Sequence, residues 1–491
     1  MGSRRTRCKS IRVSLLAAAI LLGCLPLYAQ ETAALDAAAA LEQTLTAAIA
    51  KAEKSVVAIA RVRRSQPGEI AGEPRPDAFG RRTAPLDPPQ PTDPDFIAND
   101  YSAGVVVGPG LILTAAHVLG EESDYYVTAA DHRVLKAAVR AADPRSDLAV
   151  LSVNANDLPP IAMGNADELR KGQIAIALGN PYGIARDGQA SATWGIIANL
   201  QRKAPARPTE SDPNGRPTLH HYGTLIQTDA KLNWGTSGGP LLNLRGEMIG
   251  LCVALPIAGG YDAAGGYAMP VDVAFRRALE TLKLGREVEY GFLGVQPQHL
   301  SEQEVLAGGR GTRVGEVKRH SAAARHGLRV GDLITAVDGT PIYDADGLIL
   351  NVGKLSADAT TRLTLVRDGR RQTVDVGLTK FAVLGRKTVT AKAPGWRGMR
   401  VEYLTAVVDD NGRMVGNDLK DSAAVVVVEV LESSPAWKAG LRAGMLVTHV
   451  DHQPVATPKE FAKAAAQNSG AVQLQIADDA KNPIRTIEPG T

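Results

Sequence analysis

Two stretches of this chain, SAAARHGLRVGDLITAVDGTPI (Ser321–Ile342) and SPAWKAGLRAGMLVTHVDHQPV (Ser434–Val455), align without a gap at an offset of 113 residues. Gly327 and Gly440, Gly331 and Gly444, and Asp338 and Asp451 coincide. Self-similarity at one fixed offset marks a single small unit present twice. The C-terminal part of the chain therefore reads as two copies of one domain. With 491 residues and roughly 150 residues per folding unit, one larger domain is left ahead of them.

That larger region, from Ser102 to about Met269, is built of short apolar runs: AGVVVGPGLILTAAHVL, DLAVLSV, QIAIALGNPYG, GTLIQTDA and MIGLCVAL. Gly, Asn, Asp and Pro break them apart. Short strands at regular spacing with turn residues between them predict an all-β sandwich or barrel, and the 49 glycines of the chain fit many turns. Upstream, Leu41 to Val62 shows helical spacing through Ala50 and then VVAIARV, which reads as a first strand. Between the two lies SQPGEIAGEPRPDAFGRRTAPLDPPQPTDPDF, rich in Pro, Gly and charge, an exposed loop rather than a folded unit.

The N-terminus reads as a targeting segment. Arg4, Arg5, Arg7, Lys9 and Arg12 precede the apolar stretch VSLLAAAILLG, which is too short for a convincing membrane span. Two processing routes compete: cleavage after Ala29, or lipid attachment at Cys24 within LLGC. Loss of residues 1–29 removes five basic and no acidic side chains, turning the formal charge of +3 into −2. Nucleic acid then has no electrostatic motive. Of three cysteines, only Cys252 lies beyond the leader, so neither a disulfide nor a cysteine zinc cluster is expected, and Cys252 reads as a small core residue.

Three polar residues stand out in the β region. His117 closes LILTAAH, Asp147 sits in DPRSDLAVL, and Ser237 lies in NWGTSGGPLL. Singly, each is a structural histidine, a turn aspartate and a turn serine. Together they have a chemistry: acyl transfer by serine needs an imidazole to take the hydroxyl proton and a carboxylate to orient that imidazole. Gly235 and the residues after it can aim backbone N–H groups at a developing oxyanion. His220 and His221 lack a third nearby ligand and read as part of a solvated loop, Arg202 to Tyr222.

The chain order His, Asp, Ser, spaced by 30 and then 90 residues, is that of the chymotrypsin-like double barrel. With TAAHV, DPRSDLAVL, ALGNPYG, QTDAKLNWGTSGGPLLNLRGEMIG and GGYAMPVD in order, the sequence resembles the HtrA (high-temperature requirement A, or Deg) family of exported serine proteases. The resemblance implies a mainly β protein, a chymotrypsin-like double β-barrel followed by two PDZ domains. It implies His117 as general base, Asp147 as its orienting carboxylate, Ser237 as nucleophile, and the N–H groups of Gly235 and Ser237 as oxyanion hole. Three departures bear on the site. Thr236 stands where the family usually has Asn, Trp234 where Pro or another residue is common, and Val253, in IGLCV, replaces a polar residue. Of the residues just ahead of the serine only Lys231 is charged, so an apolar or small primary pocket is expected.

The repeated unit resembles the PDZ domain, which adds a bound peptide to a sheet edge and captures its C-terminal carboxylate in a backbone loop. That loop would be Phe292, Leu293, Gly294 and Val295 in the first copy. In the second it is either WRGM, Trp396–Met399, or simply the start of a strand. Met445 replaces the acid expected there, and DDNGRMVGNDLKDS adds a polar excursion. The boundaries read as leader 1–29, helix and first strand 30–63, Pro-rich loop 64–98, protease 99–284, PDZ 288–380, linker 381–394, second PDZ 395–478 and tail 479–491. No GxxxxGK[ST] motif is present. The implied protein is an ATP-independent periplasmic endopeptidase without cofactor or metal, acting on unfolded or damaged proteins in stress and quality control. C-terminal peptides would bind at the first PDZ domain, and the chain would assemble as a homotrimer or higher oligomer. The alternative is a catalytically weak or inactive scaffold on the same fold.

Overall fold

The computed structural model describes residues 34–64, 98, 100–183, 187–206, 215–253, 266–391, 395–408, 415, 423–477 and 483–489. The leader with Cys24, nearly all of the Pro-rich loop, the middle of the 202–222 loop and nearly all of the 409–422 excursion lie outside these residues.

The protein is mainly β, and the part ahead of the repeats consists of two barrels. The first contains β1 (Val56–Arg63), β2 (Asp100–Gly108), β3 (Leu111–Ala115), β4 (Ser123–Thr128), β5 (Val134–Asp143) and β6 (Leu148–Val153). Their order is β5-β4-β1-β2-β3-β6, closed by pairing of β5 with β6. The second is a closed barrel of β7 (Ile174–Gly179), β8 (Ser191–Arg202), β9 (Leu225–Thr228), β10 (Pro240–Leu242), β11 (Met248–Val253) and β12 (Gly266–Pro270). Closure leaves no sheet edge exposed within each ring.

One core runs between the barrels. It joins Val105, Leu113 and Leu148 of the first to Ile176, Leu178 and Leu251 of the second. Two helices complete it. Helix 34–52 contributes Ala48 and Ala52. Helix Val273–Lys283 buries Phe275, Ala278, Leu279 and Leu282, one stripe at helical spacing. Its N-cap Asp272 accepts the Phe275 N–H at 2.8 Å.

The two copies of the repeat have one topology. In the first, strands Val295–Gln298, Thr312–Val317, Leu333–Val337, Thr360–Arg367 and Arg370–Gly377 lie side by side in that order; in the second, Met399–Tyr403, Val425–Val430, Leu446–Val450, Val472–Ile476 and Ile484–Ile487 do the same. Ser321 and Ser434 cap equivalent short helices. Gly294 and Gly398, both at φ +83°, pack against those same serines, which makes FLGV and WRGM equivalent loops. Two expected boundaries change. Residues 484–487 form the last strand of the second sheet, pairing with 472–475, instead of a tail; the run Ile-Arg-Thr-Ile is too short for its alternation to stand out. The linker is not plain coil either, because Thr388–Val389 pairs with Ala142 and Ala141 of β5.

Lys380 fastens the second copy to the rest. It is 2% exposed, and its Nζ reaches Glu287 and Glu289, each at 3.1 Å, and Glu402 at 2.7 Å. Burial alone would lower its pKa; the three carboxylates outweigh that and hold the ammonium above its ordinary value. Removing one partner of a buried pair costs about 3–5 kcal/mol. Because the glutamates are partly exposed, Lys380→Ala is expected to cost about 2–3 kcal/mol. Thermal unfolding measures this, and an unchanged Tm would contradict it.

Candidate active site

The three polar residues picked from the sequence converge where the barrels meet. His117 lies in the short turn Ala116–Val118 after β3. Asp147 immediately precedes β6, at the end of the turn that follows β5, and takes φ +56°, a left-handed conformation that few residues other than Gly, Asn, Asp and His adopt. Its backbone oxygen accepts the Ala116 N–H at 2.9 Å. Its carboxylate accepts the His117 N–H at 2.8 Å and lies 2.7 Å from His117 Nδ1. The carboxylate thus holds the histidine's backbone and ring together and fixes the tautomer with Nε2 unprotonated. His117 Nε2 is 3.3 Å from Ser237 Oγ. Burial pushes the Asp147 carboxyl up, but the charge and hydrogen bond of His117 outweigh it and hold the group below its ordinary value.

Ser237 is placed by backbone. Its carbonyl accepts the Ala103 N–H of β2 at 2.9 Å, and β11 clamps the next residues through Gly238 N to Cys252 O (2.9 Å) and Cys252 N to Gly239 O (2.8 Å). So close an approach requires glycine. A Cβ on Gly238, at φ +85°, would stand 2.2 Å from the Ala103 carbonyl oxygen and 2.3 Å from Thr114 Oγ1. Gly235 takes φ +95°. Thr236, one of the three departures, closes the turn ahead of the serine. Its N–H donates to Asn233 O at 3.0 Å and its hydroxyl accepts the Asn233 N–H at 3.3 Å. Its methyl side packs on Gly179. Cys252 is fully buried with its thiol pushed up to about 12 by burial.

His220 overturns its sequence reading. It is buried, not solvated. Its Nε2–H donates to Ser146 O at 3.0 Å, and its Nδ1 accepts from the Thr224 hydroxyl at 2.7 Å. Burial lowers its pKa against the pull of Asp147, so the ring is neutral at pH 7 and serves as a strut beneath the Asp147 turn. The same loop reaches the helix Ala345–Gly353 of the first repeat, where Arg216 and Lys203 pair with Asp346 at 2.7 and 2.6 Å.

These residues open on a cleft of about 1050 Å³ lined by His117, Asp147 and Ser237, with Leu225 and Val253, another of the departures, in its wall. Leu384, Gly385, Arg386 and Thr388 of the linker also line it. Nothing in the sequence marked that segment, since its placement depends on a two-residue pairing with β5. Trp234, 62% exposed, stands at the rim. Lys231 is exposed and is absent from the cleft lining.

Comparisons with known proteins place the chain in a family. Residues 102–251 match the family model of the trypsin-like peptidase domain, and residues 291–378 that of the PDZ domain. A probable periplasmic serine endoprotease, DegP-like, of Pseudomonas fluorescens is 32% identical over 387 residues, 77% of each chain. The chain belongs to the HtrA family of serine endopeptidases. The DegP-like relative of Pseudomonas fulva is 34% identical over 75% of this chain and 74% of its own. Among solved structures, the HtrA-type protease AlgW with tripeptide superposes with a TM-score of 0.50 at 24% identity, covering 68% of this chain and 96% of that one. As an HtrA-family chain it is a serine-type endopeptidase.

Gly238→Ala is the sharpest test of the serine's backbone setting. The strain and the displaced carbonyl are expected to cost about 2–3 kcal/mol and to abolish reaction of Ser237 with a fluorophosphonate. Wild-type Tm together with wild-type labelling would contradict this.

Proposed function

We propose that this HtrA-family chain is an exported, ATP-independent endopeptidase of unfolded or damaged envelope proteins, working through an acyl-enzyme on Ser237. The observation that carries the reading is the line of contacts Asp147, His117, Ser237, with 2.7 and 3.3 Å between successive side chains. His117 Nε2 takes the proton as Ser237 Oγ attacks the scissile carbonyl and later gives it to the leaving amine. Asp147 stays ionised and stabilises the imidazolium. The N–H groups of Gly235 and Ser237 receive the oxyanion, each donor worth roughly 2.7–4 kcal/mol in such sites. The Nε2 to Oγ separation lies just beyond the catalytic range of about 2.6–3.2 Å, as is common before substrate binds.

The periplasmic place in the relatives' names fits the leader, which would be cleaved after Ala29 or carry lipid on Cys24; the intact mass of the exported protein distinguishes the two. Assembly as a homotrimer or larger oligomer is proposed from family membership. The module at 291–378 would capture peptide C-termini at Phe292–Val295. Its strand Val295–Gln298 lies at the sheet edge beside that loop. In the second module the Met399 N–H already donates to Trp396 O at 2.9 Å, which takes one donor from any carboxylate there. We assign peptide capture to the first module alone.

Two experiments test this. Ser237→Ala is expected to abolish casein cleavage and fluorophosphonate labelling; persistent cleavage would refute the assignment. A peptide with an apolar free C-terminus is expected to bind, by fluorescence anisotropy, at least about tenfold more tightly than its C-terminal amide. Equal affinities would refute carboxylate capture at Phe292–Val295.

A further inference from the structure

The turn that presents Asp147 is gripped by the two ends of the first PDZ module. Arg145 lies two residues before Asp147 and is only 4% exposed. Its guanidinium carbon stands 3.8 Å from the centre of the Phe381 ring and 5.6 Å from that of Tyr290. Tyr290 immediately precedes the module matched at 291–378, and Phe381 follows it closely. The two are joined to each other, the Phe381 N–H donating to Tyr290 O at 2.8 Å, and the chain on either side pairs Gly291 with Lys380. The module helix Ala345–Gly353 ends against the same group: a Cβ on Gly353 would stand 3.2 Å from Arg145 Nη2.

A second contact ties the turn to the same place. Asp143 Oδ2 accepts the Ser146 N–H at 2.8 Å and the Ser146 hydroxyl at 2.6 Å, and the Tyr290 hydroxyl donates to that same oxygen. Asp143 Oδ1 and Arg145 Nε are buried without a hydrogen-bond partner. A buried guanidinium short of hydrogen bonds is held by aromatic faces and a nearby carboxylate. Both faces here belong to the chain where it enters and leaves the module. If the module swung away, Arg145 would turn to water and pull the backbone next to Asp147. Asp147 already sits at φ +56°, a strained state that persists only while its surroundings over-determine it.

We propose that Arg145 and Tyr290 are positioning residues for Asp147, so that the aim of the carboxylate at His117 depends on the seating of the PDZ module between Tyr290 and Phe381. The inference rests on the roles proposed for the triad. It adds a mechanical connection from the module's two ends to the carboxylate, separate from the peptide groove.

The experiment is saturation kinetics of fluorophosphonate inactivation on the full-length protein. Labelling of wild type but not of Ser237→Ala must be seen first; failure there would overturn the triad roles themselves. For Arg145→Met the limiting inactivation rate is expected to fall at least about tenfold while the half-saturating probe concentration changes less than about twofold. Arg145→Lys, which keeps the charge, is expected to recover about half of that loss on a logarithmic scale. An unchanged limiting rate in folded Arg145→Met, or a loss that lysine does not lessen, overturns the proposal. If Arg145→Met does not fold, Tyr290→Phe removes one oxygen atom only; a fall of about threefold is expected, and a wild-type rate overturns the proposal.

Discussion

The 2.7 Å contact between Asp147 and His117 has to be made within one barrel while the other ring nitrogen is aimed at a serine from the next. Everything that fixes the two strand ends of the first barrel therefore bears on it. Closure of β5 on β6 sets where the Asp147 turn emerges. Pairing of β3 with β6, Ala115 opposite Leu148, brings the histidine turn alongside. The carboxylate then spends both its oxygens on His117, one on the backbone N–H and one on the ring, so neither the turn nor the ring can move without the other. The remaining constraint is that the segment Ser237–Gly239 is hung between β2 and β11 by three backbone hydrogen bonds, one of them to Ser237 itself.

The same turn is also the mechanical meeting point of the chain. His220 props it from the loop before β9, and Arg145 and Asp143 anchor it to Tyr290 and Phe381. The linker beyond Phe381 then returns to β5 and lines the cleft. PDZ module and protease are thus joined around the Asp147 carboxylate, not merely tethered in sequence.

Much of this was legible in the sequence, for definite reasons. Acyl transfer restricts which residue types can serve, so histidine, aspartate and serine in that order stood out, and the structure brings them together. The glycines at Gly235 and Gly238 follow from backbone geometry that other residues cannot adopt. The repeat fixed equivalent turns: Gly327 and Gly440, Gly331 and Gly444, Asp338 and Asp451 all have positive φ. What escaped were contacts without periodicity. His220 looked solvated because its neighbours are polar, yet the Ser146 carbonyl and the Thr224 hydroxyl satisfy it inside. Arg145 gave no signal in the sequence because its aromatic partners, Tyr290 and Phe381, lie far along the chain. Strands as short as Thr388–Val389 and Ile484–Ile487 carry too few residues for alternation to speak.

The central claim is that the Asp147 carboxylate fixes the tautomer and orientation of His117. The direct measurement is kcat for Asp147→Asn on a peptide substrate at neutral pH. An amide keeps the shape but favours the wrong tautomer, and the account predicts a loss of about 10⁴-fold with the fold and KM retained. A kcat within about tenfold of wild type would contradict it.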